Sequence, residues 1–532
     1  MLKIPELNFG FSDAENYKRR ENKDLFNHIF LRNDSLDKLC ESRIFFLIGE
    51  KGTGKTAYAV YLSNNKYRNN FASIRYIRET EYHKFVALKR EKHLQLSDYT
   101  NIWKVIIYLL VSQQIREREN NSILSKFTKF RSIEKAIDEY YANAFSPEII
   151  YAMHLVEDSK RAAELFAQYV RVGGEQSGHK DFTEQRFQTN LLYIQNNFED
   201  ALRSLKLHSN HIVFIDGIDI RPSSMPYNEY LECVKGLANA VWSTNNDFFS
   251  SIEESEGRLR VVLLIRPDIY NSLGLQNQNN KIRDNSVVLD WRTTYKTYRQ
   301  SAIFMMADKL LSSQQGDELK LGEAWDYYFP YNPRSVHIRK RNPVSPTYTS
   351  FIQFLRVSLS RPRDLVRMLA ILQENFNEQS KKASSVFSEM DLAHPDFRRK
   401  FSEYLLGEIK DQISFYYSIS DYELFLKFFE YLKGSYEFTY KKYLESYSSF
   451  IEYISINGME RPAFCETADE FLQFLYELNI LCYVDEFDNG TFLRWCYLER
   501  DYSNISPKVK TRSRYEIHYG FRRALNLGTK IL

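Results

Sequence analysis

Glycine and proline are both scarce in this chain of 532 residues. Its 19 glycines and 13 prolines are each about half of the usual shares, which are ~7% and ~5%. This scarcity disfavours collagen-like chains, linker-dominated chains and all-β folds that need many turns. The composition therefore favours long helices.

Cysteine patterns and long apolar runs are also missing. The five cysteines are odd in number and include no CxxC pair, which disfavours a disulfide framework and a zinc site. The longest apolar stretch, residues 105–111, is far below the ~20 residues that a membrane span needs. The first residues lack the apolar core of a signal peptide. We therefore expect a cytoplasmic protein that does not contact membranes.

The chain also lacks a large excess of positive or negative charge. The 72 Lys and Arg residues nearly balance the 69 Asp and Glu residues, for a net charge of +3. This balance is too even to require a nucleic acid or an anionic membrane as partner. The 38 Phe and 38 Tyr residues supply large apolar surfaces, so the chain should fold almost throughout. Its length predicts two to four domains.

The strongest motif present is GEKGTGKT at residues 49–56. An apolar run at residues 44–48 precedes it and helix-forming residues follow it, which predicts a strand, a loop and a helix. Glycines let backbone N–H groups surround a β-phosphate, and the helix directs its positive end to the same anion. The motif therefore predicts ATP binding, and the predicted contacts are Gly49, Lys51, Gly52, Thr53, Gly54, Lys55, Thr56 and Ala57.

Phosphoryl transfer assigns a role to each polar residue near this loop. Lys55 would bridge the β- and γ-phosphates, and the Thr56 hydroxyl would ligate Mg²⁺. Asp216 ends the apolar run HIVFID and is the second predicted metal ligand. Asp219 could orient the attacking water, although it could instead cap a turn with Gly217. No NKxD-type guanine reader is present, which favours ATP over GTP.

A cation should neutralise the γ-phosphate in the transition state. Arg266 follows an apolar strand and should lie at the carboxyl edge of the sheet. Arg361 and Arg363 open a later helix and could reach the phosphates from a lid, and Arg221 could act on a neighbouring subunit. The alternative for each arginine is a structural salt bridge.

Alternating apolar strands and amphipathic helices predict an α/β fold with a parallel P-loop NTPase sheet. Near the C-terminus, CYVDEF and TFLRWCYL read as strands, and RYEIHYGFRRAL reads as a strand followed by a helix. The predicted segments are an N-terminal segment (1–40), the first part of the core (41–95), a helical insertion (96–207), the second part of the core (208–292), a helical lid (293–380) and a helical, winged-helix-like domain (381–532).

These motifs resemble a family. The glycine-rich loop, the spacing of Asp216 and Asp219 and the arginines of the lid helix are similar to additional-strand P-loop ATPases of the AAA+ and STAND type, with a NACHT-like acidic motif. The resemblance implies a nucleotide-driven switch or assembly, as in bacterial antiviral defence ATPases. It also implies a homo-oligomer or a separate effector protein as partner. Arg266 replaces the polar sensor residue that ordinary AAA+ proteins have in this position.

Nucleic-acid binding is the alternative function. The C-terminal segment is basic, and a predicted wing loop carries Lys508, Lys510, Arg512 and Arg514. In this interpretation the nucleotide is a structural ligand or a slow switch, and DNA or RNA is the partner. The preceding helix, residues 467–480, carries three acidic residues and no Lys or Arg. This pattern favours packing or oligomer contacts over DNA reading.

Overall fold

The structure is a computed structural model. It describes residues 1–77, 96–118, 132, 135–136, 184–219, 221, 225–332, 349–378, 385–488, 490–501, 504 and 506–528. The chain forms two compact units. The sheet unit contains Asp34–Glu50 and Lys55–Leu289, and the helical unit contains Met1–Asn33, Lys51–Gly54 and Asp290–Leu532.

The described strands are β1 (Phe46–Ile48), β2 (Asn70–Tyr76), β3 (Asn210–Asp216), β4 (Leu259–Ile265), β5 (Ser286–Val288), β6 (Glu437–Thr439), β7 (Leu481–Phe487), β8 (Gly490–Arg494) and β9 (Arg514–Ile517). The described α-helices are α1 (Lys23–Ile29), α2 (Asp34–Leu39), α3 (Lys55–Asn64), α4 (Leu96–Arg118), α5 (Glu184–Arg203), α6 (Tyr227–Ser243), α7 (Pro267–Ser272), α8 (Gln278–Asn285), α9 (Ala302–Ser312), α10 (Glu323–Tyr328), α11 (Ser350–Val357), α12 (Pro362–Glu378), α13 (Glu389–Ala393), α14 (Pro395–Tyr416), α15 (Ile419–Phe428), α16 (Tyr440–Ile456), α17 (Ala468–Glu477) and α18 (Cys496–Glu499).

A five-stranded parallel sheet forms the centre of the sheet unit. Its strand order is β2-β3-β4-β1-β5, an order like that of P-loop folds. Every residue of β1 and β4 is buried, as expected for strands covered on both faces. Phe46 aligns with Leu263 of β4 on one side and with Ser286 of β5 on the other. The predicted α/β class and the parallel sheet are therefore confirmed.

Helix α4 packs against α5 and α6 within the sheet unit. The approach to α6 is close because Gly236 has no side chain, and a Cβ there would lie 2.6 Å from the Cβ of Tyr99. The central part of the predicted insertion at 96–207 lies outside the described residues. No described helix combines the length and hydropathy that a membrane crossing requires.

A small antiparallel sheet lies in the C-terminal part of the helical unit, in the order β6-β9-β7-β8. It follows a helical stretch, and the element order is α15-β6-α16-α17-β7-β8-α18-β9. Tyr515 of β9 is fully buried beside Tyr443 of α16. Two local predictions are wrong here. Strand β8 ends at Arg494 and helix α18 follows, and the described residues after β9 form turns instead of a helix.

Candidate functional site

The glycine-rich loop connects β1 to α3. The backbone N–H of Gly49 donates a hydrogen bond of 3.2 Å to the carbonyl of Ile265, which holds the start of the loop against the end of β4. Gly52 and Gly54 have φ values of +86° and +97°, in the left-handed region that L side chains rarely adopt. Helix α3 begins at Lys55. These glycines therefore allow the sharp reversal between the strand and the helix.

The ammonium group of Lys55 lies inside this loop. Its Nζ donates hydrogen bonds to the backbone carbonyls of Gly49, at 2.9 Å, and of Glu50, at 3.3 Å. Only 8% of the residue is exposed. A positive charge beside loop carbonyls is chemically suited to an anion that the same loop could surround. Ala57 lies half-buried two residues later in the first turn of α3.

Thr56 and Asp216 meet at the carboxyl edge of the sheet. Thr56 Oγ1 donates a hydrogen bond of 2.6 Å to Asp216 Oδ2. The backbone N–H of Gly217 donates to Asp216 Oδ1 at 2.8 Å. A hydroxyl and a carboxylate are the hard oxygen ligands that Mg²⁺ prefers. The donor set at this point therefore fits the predicted metal ion.

Burial governs the protonation of Asp216. It raises the pKa of the carboxyl to about 6, with a further contribution from the negative charge of Asp219. The hydrogen bond from Thr56 and the charge of Lys55 act in the opposite direction. A nearby divalent cation would favour the charged form for the same electrostatic reason.

Asp219 lies half-buried in the turn that follows β3. The turn begins at Gly217, whose φ is +89°. A Cβ on Gly217 would lie 2.5 Å from the carbonyl oxygen of Ile77, so only glycine fits this approach. Both sequence interpretations of Asp219, as a water-orienting acid and as a turn residue, remain compatible with this position.

Arg266 directly follows β4 and is 4% exposed. Its Nε donates to Asp268 Oδ1 at 3.1 Å, and its Nη2 also contacts that carboxylate. Arg221 donates a hydrogen bond to the carbonyl of Met225. Both arginines therefore have contacts within the sheet unit, and their roles at the γ-phosphate stay predictions.

Within the helical unit, Arg361 is buried and paired with Asp364. Its Nη2 lies 2.8 Å from Asp364 Oδ1, and its Nη1 donates to the carbonyl of Lys51 at 3.1 Å. Asp364 also accepts hydrogen bonds from the Leu359 N–H and the Tyr404 hydroxyl. Arg361 therefore binds a backbone carbonyl of the glycine-rich loop, where the sequence predicts a contact with nucleotide.

Arg363 lies in the first turn of α12, as its place after Pro362 predicts. Its backbone N–H donates to the carbonyl of Gly52 at 3.3 Å, and its Nη1 lies 3.3 Å from Glu408 Oε2. Lys51 Nζ lies 2.5 Å from Asp411 Oδ2 and 3.4 Å from Glu408 Oε1. Lys51, Arg363, Glu408 and Asp411 form what we call the loop cluster.

Sequence reasoning missed the acidic members of this cluster. Glu408 and Asp411 lie one turn apart on α14, and no motif marks them. Their only sequence signal is that they share a helix face, which is common on solvated helices. Another unforeseen contact joins Trp291 Nε1 to the carbonyl of Thr53, at 2.8 Å.

The predicted wing residues are partly neutralised. Lys510 Nζ lies 2.8 Å from Asp485, and Arg514 lies 3.3 Å from Glu486, both on β7. Lys508 and Arg512 are exposed. Ion pairs within the chain reduce the charge that these basic residues can offer to phosphates.

Across the ranges described above, no group of three His, Cys, Asp or Glu side chains could hold a metal ion. P-loop proteins hold Mg²⁺ together with substrate phosphates, so a pair of protein ligands such as Thr56 and Asp216 would be sufficient for a site of that kind. No protein-family model matches the sequence, and a search of curated proteins finds no relative.

Proposed function

We propose that this protein is a Mg²⁺-dependent P-loop ATPase whose nucleotide state drives a change in conformation or assembly. The observation that carries the proposal is the 2.6 Å hydrogen bond between Thr56 and Asp216. It pairs the last residue of the glycine-rich motif with a carboxylate at the end of a central strand. This pairing brings together two candidate Mg²⁺ ligands, one of which directly follows Lys55, the candidate phosphate-binding residue.

In this proposal each residue of the sheet unit has a separate task. Lys55 holds the β- and γ-phosphates, and Thr56 and Asp216 hold Mg²⁺. The metal ion would neutralise charge on the phosphate oxygens. Asp219 orients the water that attacks the γ-phosphate, as its position after β3 permits.

The family assignment is part of the proposal. The position of β4 between β1 and β3 supports an additional-strand P-loop ATPase of the AAA+ and STAND type. The order α15-β6-α16-α17-β7-β8-α18-β9 and the antiparallel sheet support a winged-helix-like domain. By this resemblance we propose a role in bacterial antiviral defence, with a homo-oligomer or a separate effector as the responding assembly.

The decisive experiment measures binding of fluorescent ATP to the full-length protein in the presence of Mg²⁺. Lys55→Ala should weaken binding by roughly 10- to 100-fold, because a charged hydrogen bond contributes about 1.5–3 kcal/mol. Lys206→Ala is the matched control, since Lys206 is exposed and pairs only at the surface with Glu254. Absence of Mg²⁺-ATP binding by the parent protein would exclude the proposal.

A further inference from the structure

Helix α17 has an acidic surface in a position where a DNA-reading helix would be basic. It carries Asp469, Glu470 and Glu477 and no Lys or Arg. Thr467 and Glu470 form a capping box at its start, which fixes the first turn. Carboxylates repel the phosphate backbone of nucleic acids. This face of the helix is therefore suited to a ligand of the opposite charge.

A groove of about 490 Å³ runs along this helix. Its floor is aromatic: Phe464 and Phe474 stack with ring centroids 4.7 Å apart and planes 7° from parallel. Tyr417 contacts both rings edge-on, with centroids 5.0 Å and 5.7 Å away. Such a floor can accept apolar side chains, and it can accept cations through their attraction to aromatic rings.

Gln473 of α17 also lines the groove. Its Nε2 donates to the carbonyl of Pro507 at 3.0 Å, and its Oε1 accepts from the N–H of Val509 at 2.8 Å. These two bonds hold the segment that contains Lys508 against α17. The groove is therefore a fixed feature between a helix and a bound segment of chain.

Negative side chains outnumber positive ones at the rim of the groove. Three carboxylates and one ammonium group line the groove: Asp469, Glu470, Glu477 and Lys508. Tyr440 donates to Asp469, and Gln473 donates to Glu477. Glu470 accepts from both the N–H and the hydroxyl of Thr467. Each carboxylate has about four acceptor positions, so these bonds leave capacity for a further donor.

We propose that this groove binds a basic peptide segment of a partner protein, with a Lys or Arg next to an apolar side chain. The apolar side chain and the aliphatic stem of the cation lie on Phe464 and Phe474, and the charged head pairs with the carboxylates. The volume falls within the ~300–1,000 Å³ of ordinary ligand pockets, which suits a few side chains. The charge complementarity of the rim selects a cationic peptide over a nucleic acid.

The test uses full-length protein and a fluorescein-labelled octapeptide that alternates lysine with leucine. Fluorescence anisotropy should show binding that weakens when salt rises from about 0.1 to about 0.5 M. An octapeptide that alternates glutamate with leucine should bind at least about tenfold more weakly. Equal binding of the two peptides, or tighter binding of duplex DNA than of the basic peptide, would overturn the proposal.

Variants locate the binding on α17. Glu477→Lys should weaken peptide binding by at least about tenfold, and Glu477→Gln, which keeps the amide contact with Gln473, should weaken it by a smaller factor. Glu445→Lys is the matched control, because it makes the same charge change on α16, away from the residues that line the groove. Identical affinity in Glu477→Gln and the parent, with both proteins equally stable to heat, would also overturn the proposal.

Discussion

Thr56 Oγ1 lies 2.6 Å from Asp216 Oδ2, although 160 residues separate the two in the chain. The contact joins the first turn of α3 to the last residue of β3. Both side chains are fixed by regular elements, so the geometry of the two oxygens does not depend on a loop. A preformed pair of hard ligands lowers the cost of ordering the site when a metal ion binds.

This pair predicts a non-additive loss of Mg²⁺-dependent turnover. Thr56→Val and Asp216→Asn should each reduce ATP hydrolysis at limiting Mg²⁺ by at least about tenfold, because each removes one proposed ligand of the ion. The double variant should lose less than the product of the two single effects, since both residues act through one ion. Titrations of hydrolysis against Mg²⁺ measure the effect. Fully multiplicative losses would show that the two residues act independently.

Asp219→Asn separates chemistry from binding. In the proposed function this carboxylate orients the attacking water, so turnover should fall by roughly 10²- to 10⁴-fold while ATP affinity stays unchanged. Single-turnover hydrolysis and equilibrium binding measure the two quantities. An equal loss in both would assign Asp219 to the structure of the turn or to the metal.

The loop cluster predicts a response to nucleotide through α12. Arg363→Ala removes the side-chain contact with Glu408, and a charged hydrogen bond contributes about 1.5–3 kcal/mol, or roughly a ten- to hundredfold bias between conformations. The variant should lose the difference in protease sensitivity between its ATP and ADP forms while still binding ADP.

Arg367→Ala is the control for this experiment. Arg367 lies one turn further along α12 and pairs with Glu374, 3.3 Å away. It should keep the parent's nucleotide-dependent cleavage pattern. If Arg363→Ala also keeps that pattern, Arg266 becomes the better candidate for sensing the γ-phosphate.

The burial of His518 predicts that the folded protein loses stability in acid. Burial, followed by the charges of Arg522 and Arg361, lowers its pKa to about 3, although a hydrogen bond with the Ser358 backbone opposes this effect. Its Nδ1 accepts a hydrogen bond from the Gly520 N–H, as a neutral ring can. Below pH 6.5, which is about the pKa of His518 in the unfolded chain, the unfolded chain binds a proton at this residue and the folded chain does not. The free energy of unfolding should therefore fall by about 2 kcal/mol between pH 6.5 and pH 5.

Urea unfolding of the parent and of His518→Gln at both pH values measures this contribution. The variant should lose less stability on acidification than the parent. His208→Gln is the control, because the side chain of His208 is 74% exposed. An unchanged pH dependence in His518→Gln would show that His518 does not titrate on unfolding.

The sequence predicts the central sheet well because β1 is wholly apolar and β3 and β4 are rich in apolar residues. The run at Leu259–Ile265 is apolar except for Arg260, and burial of such a run on both faces indicates a parallel sheet. Strand β6 carries no such signal, since Phe438 is its one buried residue. Helix α18 was missed because the buried Trp495 and Cys496 continue the apolar pattern of β8 beyond the point where pairing ends.

The sequence likewise predicts some residues of the candidate site and misses others. The glycine-rich motif identifies Lys55 and Thr56 because their spacing is fixed by the chemistry of phosphate binding. The sequence also identifies Asp216 as a candidate metal ligand, because it ends an apolar run. The sequence does not identify Glu408 or Asp411 as members of the site, because their contacts with Lys51 depend on tertiary packing within the helical unit.

The helical unit includes four residues from the middle of the glycine-rich loop, Lys51–Gly54. Donors from distant parts of that unit bind the carbonyls of this short stretch, namely Arg361, the Arg363 backbone and Trp291. A fragment that ends at Leu289 would keep the whole loop sequence and lose all three donors. Truncating the chain there would therefore remove these donors to the loop as well as the C-terminal helices. Loss of nucleotide binding in such a fragment would not show that nucleotide-binding residues lie after Leu289.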